Sequence, residues 1–74
     1  MKIARIRVPP DFESEASLLA RIAENYGYKV EVKVDREARG IVVELDGLRF
    51  DNPDDAARHI AWEYLKKVFG SKGE

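Results

Sequence analysis

His59 is the only histidine in the chain, with Asp55 four residues before it and Glu63 four residues after. Residues four apart share one face of a helix. A carboxylate beside an imidazole can orient it and raise its pKa, as in a general acid–base pair. The spacing places no Ser, Thr or Lys nucleophile beside this trio. It therefore reads as a solvated, ion-paired helix face, and no enzymatic activity is expected.

Asp51, Asp54 and Asp55, with Asp46 nearby in sequence, carry oxygen ligands that suit a hard cation. Their spacing is not that of a calcium loop, and a helix N-terminus gathers acids through its dipole alone. Phosphate binding at a strand-to-helix turn calls for glycines, whereas the turn here is Pro9-Pro10-Asp11. The chain has no cysteine, which excludes a disulfide framework, a thiolate zinc site and an iron–sulfur cluster. No metal or cofactor is expected.

Two surfaces remain as candidates for binding. Outward strand positions carry Arg5, Arg7, Lys29, Lys33 and Arg49 against Glu31, Asp35 and Glu44. A sheet face with such a cationic excess can meet nucleic acid, although it lacks outward aromatics for base stacking. Trp62 and Phe69 lie seven residues apart, off the centre of a helical apolar stripe. They mark either a partner surface or a helix whose buried arc is widened by touching two neighbours.

The elements that position these residues follow from periodicity and turn chemistry. Residues 2–8 alternate, with Ala4, Ile6 and Val8 facing one way, until Pro9-Pro10 stops the strand. Asp11 can cap a helix over about 12–26, with acids in the first turn and Gly27 after the last. Residues 28–35 and 41–45 alternate again. The loop between them suits a four-residue hairpin with Gly40 at positive φ, a register that sets Lys33 opposite Glu44. Asp46-Gly47 signals a type I′ turn into a short strand with Leu48 and Phe50 inward. Asn52-Pro53 then opens a second helix that Gly70 should end.

The order is β-α-β-β-β-α. It predicts an α/β (α+β) two-layer sandwich: a mixed four-stranded sheet with two helices on one face. The expected strand order is 1-2-3-4; the rival order sets strand 1 beside strand 3. The expected core is Ile6, Val8, Leu19, Ile22, Val30, Val32, Val43, Leu45, Phe50, Ile60, Ala61 and Tyr64. Residues 1–70 form one domain, and 71–74 are a frayed tail.

Composition bounds the rest. The chain has 74 residues, 36% of them charged, and a net charge of −1. That balance gives phosphate little long-range attraction. No apolar run approaches a membrane span, and Met1-Lys2 leads into strand alternation without a signal-peptide core. A soluble, cytosol-compatible monomer is expected, with no partner required.

The run Phe50-Asp51-Asn52-Pro53-Asp54-Asp55-Ala56-Ala57-Arg58 resembles the strand-to-helix junction of plant AP2-type DNA-binding domains. That resemblance implies a sheet that enters the major groove, with Lys29, Lys33 and Arg49 on the corresponding strands. Over its whole length the chain resembles an idealised de novo designed α/β domain: strands alternate, helices carry caps and acidic first turns, and turn residues match turn types. This second resemblance implies a thermostable scaffold with no evolved biochemical activity. The alternatives are a small nucleic-acid-binding module on the sheet face, or a protein-interaction domain using Trp62 and Phe69.

Overall fold

A computed structural model describes residues 2–73, with side chains described through Gly70. Strand β1 (Lys2–Val8) leads through a 3-10 turn (Pro10–Phe12) into helix α1 (Glu13–Asn25). Strands β2 (Tyr28–Val34), β3 (Val42–Leu45) and β4 (Leu48–Phe50) follow, and helix α2 (Pro53–Gly73) closes the chain. The architecture is the expected one, two helices packed on a mixed four-stranded sheet.

The strand order is β2-β1-β3-β4, which corrects the expected 1-2-3-4. Strand β1 pairs in parallel with β2 and antiparallel with β3, so β2 and β3 are not paired with each other. The tight β3–β4 turn occupies only one edge of β3, and β1 takes the other. Burial explains the choice. Ala4, Ile6 and Val8 are all but inaccessible, and the strand whose inward side chains are most completely covered belongs in the middle. Strand β2, alternating valine with charge, stands at the edge, where charged side chains blunt unwanted pairing.

This order changes the β2–β3 connection. The chain must cross over the end of β1, roughly two strand spacings of about 4.8 Å each. A tight hairpin cannot do that. Residues 35–41 do so with a turn in which the Asp35 carboxylate accepts the Glu37 N–H at 2.9 Å and the Asp35 carbonyl accepts the Ala38 N–H at 3.1 Å. Gly40 therefore does not have the expected positive φ; only Gly27, Gly47 and Asp46 do among the described residues. Lys33 is not opposite Glu44 either: Arg5 is, while Lys33 pairs with Arg7.

Both helices cover one face of the sheet. Ala16, Leu19 and Ala23 of α1 and Ala56 and Ile60 of α2 meet Ala4, Ile6, Val8, Val43 and Leu45 in a single core, closed at its margins by Tyr28 and Ile41. Alanine supplies much of the helix contact, so each helix lies close on the sheet. The expected core is corrected at four positions: Ile22, Val32, Ala61 and Tyr64 are exposed, and Val30 and Phe50 are half-buried. Burial falls along β2, the edge strand, from Tyr28 to Val34.

Helix ends also differ in detail. Phe12, not Asp11, is the residue before α1, and no side chain caps it. Asn52 does cap α2, its amide oxygen accepting the Asp54 N–H at 2.7 Å. Helix α2 runs through Gly70 to Gly73. For the expected frayed tail, Glu74 and the side chains of 71–73 lie outside the described residues.

Candidate functional site

The open face of the sheet carries the basic residues singled out by sequence. Register brings Arg5 between Glu31 and Glu44, and Arg49 opposite Glu44. Arg5 Nε lies 3.4 Å from the Glu31 carboxylate, Arg7 Nε 3.9 Å from Asp35, and Arg49 Nε 3.0 Å from Asp51. Each arginine thus has a carboxylate beside it. Lys29 pairs in register with Ile3, toward the opposite end of β1 from Arg7. The face forms an open depression of about 460 Å³ lined by Arg5, Arg7, Lys33, Arg49 and the two glutamates, with Val42 and no aromatic ring.

His59 stacks obliquely on Phe50, ring centroids 5.2 Å apart, so its ring serves the β4–α2 contact. Glu63 lies 3.1 Å from Lys66 Nζ. The hydrogen bond from Lys66 holds the Glu63 carboxyl below its ordinary pKa; desolvation opposes it, and charge attraction from Lys66, His59 and Lys2 adds to the lowering. On the Asp55–His59–Glu63 face, Glu63 is therefore ion-paired with Lys66 and His59 packs on Phe50. Two of the other acids are likewise employed: Asp51, before α2, meets Arg49, and Asp46, in the β3–β4 turn, accepts the Ile3 N–H at 2.8 Å. Among the described residues no cluster of three His, Cys, Asp or Glu side chains is arranged to hold a metal ion. Among the described residues no helix is long and apolar enough to cross a membrane.

The helix layer is different. Ala56 and Ile60 face the sheet, and beyond Ile60 no described residue of α2 is buried. At about 1.5 Å per residue this helix is roughly 31 Å long, and its second half runs past the core. Trp62 is 59% exposed and Phe69 62%. Leu65, Val68 and Tyr64 are also exposed beside them. Of the two explanations for Trp62 and Phe69, a widened buried arc does not hold, since neither is buried. Helix α1 contributes a row four residues apart, Leu18, Ile22 and Tyr26, all exposed. It reaches α2 where Tyr26 meets Tyr64 at 5.0 Å between centroids.

Sequence reasoning singled out Trp62 and Phe69 and missed Leu65 and Val68 as their exposed neighbours. The missing signal was present: an apolar arc on α2 wider than one sheet can cover. No protein-family model, curated protein or solved structure matches this chain.

Proposed function

We propose that this domain is a non-catalytic protein-interaction module whose contact surface is the outer face of α2 from Trp62 to Phe69. One observation carries the reading: Trp62, Leu65 and Phe69 stand exposed on the side of α2 opposite Ala56 and Ile60. Folding leaves about half of each of these side chains uncovered. Each leaves apolar surface in water at a cost of about 25 cal/mol per Å². Contiguous apolar patches of several hundred Å² on a small domain mark binding sites or aggregation hazards, and Trp is enriched among the residues that dominate interface energy.

The idealised-scaffold reading is weakened by the same face. Design practice keeps exposed Trp, Phe and Leu few, and a functional site is where a locally consistent sequence departs from its own rules. The sheet face supports nucleic-acid binding less well. Its arginines are each beside a carboxylate, and it offers no stacking platform.

The test is a Trp62→Ser, Leu65→Ser, Phe69→Ser variant. It should stay folded by circular dichroism, melt within a few degrees of the parent, and lose binding of an apolar-surface dye. An unfolded triple variant would make these residues part of the core and end the reading. Amide shifts at Arg5, Lys33 and Arg49 on adding duplex DNA at low salt would favour the sheet face instead.

A further inference from the structure

We infer that the partner of this surface is a second copy of the same chain, docked with its α2 antiparallel on α2. The inference rests on the interaction reading above and adds to it the identity and orientation of the partner.

Spacing comes first. Residues 55, 58, 62, 65, 69 and 72 follow alternating steps of three and four along α2. Such a row is the seam on which two helices pack knobs into holes. It lies opposite the sheet-facing Ala56 and Ile60, so the protein's own core does not obstruct an approaching helix. The centre of the row is apolar and its ends are charged.

Charge then selects the orientation. In a parallel pair Asp55 would meet the partner's Asp55, and Arg58 the partner's Arg58, and like charges brought together cost energy. In an antiparallel pair centred between residues 62 and 65, Trp62 packs on the partner's Leu65. Arg58 then reaches the partner's Phe69, a cation over an aromatic ring. Opposed helix dipoles favour the same arrangement.

Area is sufficient. Aromatic side chains present about 150–250 Å² each when bare. With Trp62 and Phe69 more than half exposed, Leu65 and Val68 beside them, and the exposed Arg58 stem on the same row, the face offers roughly 500 Å² per copy. Two copies bury roughly 1,000 Å², the lower limit for a specific interface and the range of weak, reversible pairs. Ala61 and Val68 flank the seam and widen it toward α1.

Sedimentation equilibrium from low micromolar to about 1 mM tests this. The protein should approach the mass of two copies, and Trp62→Glu should return it to one copy with an unchanged fold by circular dichroism. The chain has no cysteine, so Asp54→Cys accepts a single nitroxide label on an exposed site. An antiparallel pair sets the two labels about 30 Å apart, and a parallel pair about 10 Å, from helix rise and interaxial distance. A long distance supports the inference; a short one overturns the orientation. A dimer indifferent to Trp62→Glu, or a single-copy mass at every concentration, overturns the second copy as partner. The interaction reading is judged separately, by whether the triple serine variant folds and loses dye binding.

Discussion

The carboxylate of Asp46 accepts the backbone N–H of Ile3 at 2.8 Å, while the N–H of Asp46 donates to the carbonyl of Ile3 at 3.0 Å. The two residues are 43 apart in sequence. This double link clasps the β3–β4 turn to the start of β1 and continues the β1–β3 ladder one step past Leu45. Asp46 has a φ of 50°, a left-handed conformation that Asp tolerates better than most residues. It therefore acts as turn residue and strand clasp at once. Asp46→Ala should lose the carboxylate contact and strain the turn, destabilising the fold by about 1–2 kcal/mol in urea unfolding. Asp46→Asn keeps an oxygen acceptor and the left-handed preference and should cost less than half of that. Equal losses in the two variants would show that the carboxylate charge, not the clasp, matters.

Two glycines should respond in opposite directions. Gly47 has a φ of 90°, required by the type I′ turn, and Gly47→Val should cost more than about 1 kcal/mol. Gly40 does not have a positive φ, and no atom lies within 4 Å of an added Cβ. Gly40→Ala should leave stability unchanged or raise it by about 0.4–1 kcal/mol, by restricting the unfolded chain. Thermal melts of the pair decide it; a marked loss in Gly40→Ala would place that residue in a strained turn after all.

Core and surface positions on the helices should separate cleanly. Ile60 and Leu19 are buried against the sheet, and truncating either to Ala should cost roughly 2–5 kcal/mol. Ile22, at 39% exposure, should cost less than about 1 kcal/mol on truncation, because water already reaches it. In a domain of this size the first pair takes most of the available stability. Chemical denaturation of Leu19→Ala and Ile22→Ala side by side tests the assignment, and a reversed order would mean α1 is rotated on the sheet.

Stability should fall on the alkaline side through Tyr28. Burial raises its phenol above the ordinary pKa, and the Asp46 and Glu63 carboxylates push it further. In the unfolded chain the phenol ionises near about 10. Above that pH the unfolded state gives up the proton first and the folded state holds it. The stability from the neutral, buried phenol is complete below about pH 10 and is lost as pH rises toward the folded value. Tyr28→Phe should flatten the stability curve between roughly pH 9 and 11. A slope as steep as the parent's would assign the alkaline loss to other groups.

The elements of this fold are legible in the residues themselves. Alternation marks β1 at Ala4, Ile6 and Val8, the Asp46-Gly47 pair marks its turn, and Asn52-Pro53 marks the start of α2. All are local: a side-chain period, a required φ or a cap is decided within a few residues. The sheet-face arginines and the aromatic pair Trp62 and Phe69 were legible as candidates for the same reason.

What only the tertiary structure decided is which neighbour each element meets. Period 2 says which face of a strand is apolar, but the two hydrogen-bonding edges of a strand carry no side chains, so Val43 and Leu45 could pair with β1 or β2 equally well. Covering Ala4, Ile6 and Val8 completely set β1 in the middle. That choice made the 35–41 loop a crossing and freed Gly40 from a positive φ. Val32 and Val34 were left at an uncovered edge. Exposure is non-local in the same way. Trp62 and Phe69 fit a helical stripe whether a neighbour covers them or not, and only the assembled layers, with both helices already seated on alanines, leave that face of α2 open to water.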